Sequence, residues 1–381
     1  MSRTGLYFHI PFCKKKCDYC DFCSFAGSDE TLHRNYLKAL QKELDFGPDL
    51  QIATVYIGGG TPTILSNKSL EKLMDIVRAG FVQAGFKPAS TPSPIELTIE
   101  ANPGTIDYYK LKTLKDRGVN RLSIGAQSFD DKELKLLGRI HDTEDIYASY
   151  EAAIKAGFSN INLDLIFGLP GQTVDDWNIS LKKAVKLRPK HISAYNLQIE
   201  EETPFHERYI VRAGRDRLRQ DNDTEYHMYA DTIDLLKSEG YIHYEISNFC
   251  LPGFECRHNL NYWENGEYLG VGVAASSHLN GGRRKNTNDL KRYLVNPVNS
   301  GIKERHSKKN EIAETMFMGL RLIKGVSLNC FKKRFGKSLQ ELYRKEIKEL
   351  SSEGLVELEG GHLRLTGKGL FLANEVFERF V

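Results

Sequence analysis

The segment FCKKKCDYCDFC, residues 12–23, holds four of the chain's seven cysteines within eleven positions. Thiolates suit iron–sulfur clusters and zinc, both of which favour soft sulfur donors. Cys13, Cys17 and Cys20 are spaced C-x3-C-x2-C, and Cys23 extends the run by one more C-x2-C step. Three ligands would leave one iron of a [4Fe-4S] cluster open to a small molecule, whereas four would close it. Structural zinc sites usually combine two ligand pairs, and no matching second pair lies nearby. Lys14, Lys15 and Lys16 would offset an anionic centre and favour thiolate over thiol.

Other groups able to do chemistry stand at or near the ends of short apolar runs. Gly58-Gly59-Gly60-Thr61-Pro62 lies between a β-branched run and a helical pattern, where a glycine turn brings bare backbone close to a ligand. It lacks the GK[ST] ending of a Walker A loop. Tyr7 and His9, Glu100 and Asn102, Gln127, Asp164, Asn196 and Gln198 occupy similar places on successive runs. Farther along, CRHNLNYW sets His258 close before Tyr262 and Trp263. A neutral imidazole is a good axial ligand for haem iron, and the two rings offer flat apolar faces to a porphyrin. On sequence alone, a single histidine beside aromatics is more often structural. A zinc site built on Cys250, Cys256 and His258 would lack a fourth ligand, and the C-x-x-C-H of covalent haem attachment is absent. Gly270-Val-Gly272-Val-Ala-Ala follows no clear βαβ context and reads as a glycine-rich strand or turn.

The elements that must position these groups alternate in kind. Strand candidates start at Gly5, Ala53, Ile95, Val119, Ile161 and His191, with helical patterns such as YLKALQKEL and WNISLKKAVKL between them. Such alternation predicts an α/β fold of parallel strands joined by right-handed crossovers, as an open partial barrel or a doubly wound sheet. In such folds the carboxyl ends of the strands converge on the ligand site. Residues 1–200 form this unit and 201–300 a connecting region that includes the charged stretch from Glu207. Residues 301–381 carry helices followed by LVELEGGHLRLTGKG, a hairpin around Gly-Gly, which suggests a smaller α+β, winged-helix-like domain.

The bulk composition narrows the function classes. At 381 residues, 40% hydrophobic and 27% charged, the chain reads as a soluble globular protein of two or more domains. A net charge of +3, with basic residues spread along the chain, predicts neither a nucleic-acid nor a membrane-surface partner. No apolar run is long enough for a membrane span, and the opening MSRTGLYFHIPF does not read as a secretory signal. The expected location is the cytoplasm, where crowded cysteines serve as metal ligands or redox groups more often than as disulfides.

The three-cysteine loop after a first strand resembles the radical S-adenosylmethionine superfamily. That resemblance implies a partial (β/α)6, TIM-like barrel and a [4Fe-4S] cluster on Cys13, Cys17 and Cys20. The open iron would be chelated by S-adenosylmethionine, which an electron from the cluster can split to an adenosyl radical. Tyr19 before the third cysteine fits too, and Cys23 is implied to be a bystander. TIEANPG, RLSIGAQSF, LLGRIH, NLDLIFGLPGQT and LYFHIPFC resemble segments of the anaerobic coproporphyrinogen III oxidase family. They imply cofactor contacts at Glu100, Gln127, Arg139, Asp164 and Tyr7, with the turn at Gly58, Gly59, Gly60 and Thr61 holding the methionine amino group.

Two departures from the oxidases themselves are the Asp21-Phe22 that follows Cys20 and a first strand close to Met1. HNLNYW resembles the HNxxYW motif of the HemW group of haem chaperones, which implies His258 as the haem ligand. The expected function is therefore binding haem and passing it to acceptor haem apoproteins, with an electron donor as a further partner and a homodimer left open. Oxygen-independent coproporphyrinogen III oxidation is the alternative. Radical modification of another substrate such as tRNA would call for a basic footprint that is missing.

Overall fold

Each of the six apolar runs forms a strand: β1 Thr4–Ile10, β2 Ile52–Gly59, β3 Glu96–Ala101, β4 Arg121–Gln127, β5 Ile161–Phe167 and β6 His191–Asn196. The structure, a computed structural model, describes residues 4–48, 50–83, 95–211, 222–305 and 307–381. The six strands pair in parallel and in chain order. Helices Glu30–Asp45, Asn67–Gln83, Tyr108–Asp116, Thr143–Lys155 and Val174–Lys186 fall between them. Several helix starts are fixed by side-chain caps. Asp29, Asp107, Asp142 and Thr173 each accept a first-turn backbone N–H, and the last two complete capping boxes.

Strand alternation sorts the side chains onto two faces. Leu6, Phe8, Ile10, Val55, Ile57, Leu97, Ile99, Leu122, Ile124, Leu163 and Ile192 pack into the main core under the helices. The opposite, concave face receives the intervening residues, among them Tyr7, Tyr56, Glu100, Ser123, Asp164 and Tyr195. A partial barrel with a polar interior results.

The sheet extends well beyond the six expected strands. Residues 242–305 return to it as β7 Ile242–Glu245, β8 Asn248–Cys250, β9 Tyr268–Val271, β10 Ser276–Leu279, β11 Gly282–Lys285 and β12 Ile302–Arg305. The strand order is β12-β11-β10-β9-β1-β2-β3-β4-β5-β6-β8-β7. The glycine-rich run at Gly270 supplies β9, which pairs in parallel with β1, with Tyr7 opposite Gly270. Antiparallel strands complete both edges. Of the charged stretch from Glu207, residues 212–221 lie outside the described residues, and Asn222–Ser238 is a helix.

A second core, including Met316, Leu320, Phe331, Phe335, Leu350 and Leu363, gathers the C-terminal elements. Helices from Lys308 to Ser352 precede the hairpin Val356–Glu359 and His362–Leu365, joined to Val326–Ser327 in a three-stranded sheet. Gly360 and Gly361 take positive φ at the hairpin turn, as expected for a Gly-Gly connection. The unit meets the large sheet through a bridge between Glu245 and Leu322. Among the described residues no helix is long and apolar enough to cross a membrane.

Candidate cluster and cofactor site

The cysteine loop leaves β1 and is docked by its own backbone. Asp18 N–H donates to Leu137 O at 3.1 Å, and Phe205 N–H donates to Asp18 O at 3.0 Å. Lys14 Nζ reaches Gly104 O at 2.8 Å. Cys13, Cys17 and Cys20 line one cavity of about 360 Å³ over the carboxyl ends of the strands, whereas Cys23 lines a second cavity of about 730 Å³. Strand β1 and the loop thus turn the fourth thiol away from the other three.

A chain of polar contacts surrounds the three thiols. Cys13 Sγ lies 3.6 Å from Thr61 Oγ1, which accepts from Asn102 Nδ2 at 2.7 Å. Arg139 donates to Asn102 Oδ1 at 2.5 Å, to Gly125 O at 2.9 Å and to Cys17 Sγ at 3.4 Å. Burial opposes the Arg139 charge, yet Tyr19 and Cys17 hold its pKa above the ordinary value. Burial pushes the Cys13 thiol up and the Cys20 thiol to about 11, so binding must drive the thiols to thiolates. Among the described residues no three His, Cys, Asp or Glu side chains are grouped for a single ion. Cys13, Cys17 and Cys20 are the residues that would hold a cluster, as thiolates.

The glycine turn abuts both the loop and the carboxylates. A Cβ on Gly60 would stand 2.7 Å from Phe12 O and 2.9 Å from Cys13 Sγ, and one on Gly58 would meet the Glu100 carboxylate at 2.8 Å. Gly59 has φ +116° and faces the His9 ring. Only bare backbone fits here. Glu100 accepts from Gly59 N–H at 3.0 Å and from Tyr56 Oη at 2.9 Å. Burial, strengthened by Asp164, raises Glu100 to a pKa of about 7. Asp164 is raised as well, by burial, while it accepts from Ser123 Oγ at 2.8 Å and Asn162 Nδ2 at 2.9 Å. Two buried carboxylates side by side in this cavity, both with raised pKa, suit a cationic, hydroxyl-bearing ligand that their ionised forms would attract. The residues present therefore fit a [4Fe-4S] cluster and S-adenosylmethionine, which together supply one-electron chemistry.

Tyr19, Gly59, Gly60, Thr61, Glu100, Gln127, Arg139 and Asp164 all line this first cavity. Tyr7 does not. Its strand is flanked by β9, so its ring faces the second cavity, and its hydroxyl bonds His9 Nδ1 at 3.0 Å. Tyr56 was missed by sequence reasoning although alternation places it with Thr54 and Gly58 on the inward face. Asn102 was visible as a strand-end polar group, but its bridge between Thr61 and Arg139 was not.

His258 lies on the helix Arg257–Trp263, which plugs the amino-terminal end of the barrel. The Glu96 carboxylate accepts from the N–H groups of Arg257 and His258, both at 3.0 Å. The imidazole is fully buried, with Thr54 Oγ1 at 2.8 Å from Nδ1 and Tyr262 Oη at 2.9 Å from Nε2. Tyr56 stacks on it, ring centroids 5.3 Å apart. Burial, with Arg121 nearby, lowers its pKa to about 3, so the ring is neutral. Tyr262 and Trp263 line the second cavity, and His258 stands one hydrogen bond behind Tyr262.

Comparison with known proteins shows the family and the fold. Residues 7–184 match the model of the radical SAM superfamily, and residues 306–372 match the HemN C-terminal domain. The chain is 40% identical to the heme chaperone HemW of Lactococcus lactis over 380 residues, covering 99% of this chain and 97% of that protein. It is 39% identical to the heme chaperone HemW of Bacillus subtilis, covering 98% of each. The chain belongs to the HemW family. The solved coproporphyrinogen III oxidase HemN from Escherichia coli, a radical SAM enzyme, superposes with a TM-score of 0.83 at 25% identity, covering all of this chain and 90% of that one. Membership of the radical SAM superfamily implies a [4Fe-4S] cluster and S-adenosylmethionine.

Proposed function

We propose that this chain is a heme chaperone, binding haem and passing it to acceptor haem apoproteins. In this reading residues 1–200 form the scaffold with the cluster on Cys13, Cys17 and Cys20, and residues 201–300 carry the haem-binding segment. Residues 301–381 form the C-terminal domain. An electron donor for the cluster is the further partner. The observation that carries the reading is near full-length likeness to heme chaperones at 40% identity, together with a large cavity walled by the HNLNYW helix. His258 is the proposed axial ligand, and Tyr262 must swing its hydroxyl off Nε2 for iron to reach it. The oxidase reading is weaker. Asp21-Phe22 follows Cys20, and Cys23 lines the other cavity.

The test is a haem titration of the cluster-loaded protein followed by the Soret band, beside His258→Ala, and then transfer to an apo-cytochrome. Saturable binding near one haem per chain, weakened in the variant, with transfer to the apoprotein, is expected. Equal binding by both proteins would move the ligand elsewhere. Conversion of coproporphyrinogen to protoporphyrinogen under anaerobic reducing conditions would favour the oxidase.

A further inference from the structure

We infer that the seat for the porphyrin is the second cavity, between the cysteine loop and the HNLNYW helix, with Lys16 and Lys285 receiving the two propionates. This rests on the chaperone reading and adds to it the place and the polar contacts. At about 730 Å³ the cavity is in the range of small-molecule sites. Its walls are apolar and flat where a macrocycle needs them. Tyr262 meets Tyr268 edge-on at 4.5 Å, Arg321 lies 4.5 Å over the Trp263 ring, and Arg283 bonds Tyr268 Oη at 2.8 Å. These braces hold the aromatic panels open to a ligand of matching shape.

Charge distinguishes this cavity from a generic apolar cleft. Lys16 comes from the cysteine loop and Lys285 from β11, so two exposed ammonium groups from unrelated segments stand on its rim. Lys16, Cys23 and Lys285 all line this one cavity. Asp21 is the acidic residue that also lines it. Haem has an apolar disc with two carboxylates on one edge. Disc inward and carboxylates at the rim matches the distribution of rings and lysines, and the inner wall is Tyr262, directly in front of His258. Lys16, Asp21, Phe22 and Ser24 line both cavities, so haem seated here shares a wall with the cluster pocket.

The experiment titrates the cluster-loaded full chain with ferric haem and with its dimethyl ester, for wild type, Lys285→Ala, Lys285→Glu and Lys16→Ala, with iron content and melting checked for each. Wild type is expected to prefer haem over the ester. Each alanine variant should lose about two- to fivefold in affinity for haem, as for an exposed ion pair, and nothing for the ester. Lys285→Glu should lose more. Wild type that binds haem and ester alike, with variants unchanged, would overturn the placement and leave the chaperone reading standing. No haem binding by wild type would overturn the chaperone reading and this seat with it.

Discussion

Removing one hydroxyl at Tyr262 tests how haem iron reaches His258. Tyr262 Oη lies 2.9 Å from Nε2, and Thr54 Oγ1 lies 2.8 Å from Nδ1. The tautomer that frees Nε2 for iron donates its Nδ1 proton to Thr54 and accepts from Tyr262. A buried hydrogen bond of this kind contributes about 0.5–1.5 kcal/mol net. Tyr262→Phe keeps the ring and deletes the competing donor, so affinity for ferric haem should rise by about two- to twelvefold, at 1.4 kcal/mol per decade. In the apo protein Nε2 is left buried without a donor, at a cost of about 1–3 kcal/mol, so thermal stability should fall and haem should restore it. Because the pKa of His258 is lowered to about 3, no proton competes for Nε2 from pH 6 to 8, and the gain should be constant there. The assay is a Soret titration of wild type, Tyr262→Phe, His258→Ala and the double variant. An unchanged affinity in Tyr262→Phe, or a gain that persists without His258, would refute the argument.

Glu100 should make the apo protein and its cofactor affinity pH-dependent. Its folded pKa of about 7 is raised from the ordinary 4.5, so its contribution to stability is complete below pH 4.5 and lost as pH rises through 7. Unfolding free energy measured in urea should fall on the order of 3 kcal/mol across that window, and Glu100→Gln should flatten the slope. Equilibrium binding of S-adenosylmethionine, a cation, should strengthen with pH through 7 in wild type but not in that variant. Cys23→Ala should retain cluster iron and the visible absorption of the reconstituted protein, while alanine at Cys13, Cys17 or Cys20 should lose both; cluster loss in Cys23→Ala would make it a ligand. Arg121, fully buried beside Glu96 and Cys256, balances the carboxylate that caps the His258 helix. Arg121→Met should cost about 3–5 kcal/mol in chemical denaturation, and a change under 1 kcal/mol would show that the charges are not coupled.

Much of this was legible in the residues alone. The cysteine spacing, six strand–helix units and polar groups at strand ends are local patterns, and local patterns determine element type and the face on which a side chain stands. Glu100, Gln127 and Asp164 converge because parallel strands in chain order bring their carboxyl ends together, and Arg139 reaches them from the loop after the short helix Asp131–Leu136. Which strand lies beside which is another matter. Tyr7 faces the second cavity because β1 pairs with β9, more than 250 residues farther on, and no local periodicity encodes that pairing. The same distant return makes a twelve-stranded sheet, sets Lys285 across from Lys16 and slides the HNLNYW helix under the barrel. There Tyr262 covers His258, whose depressed pKa comes from burial by segments remote in sequence. Chemistry was written in the spacing of residues, but access to it was decided by long-range packing.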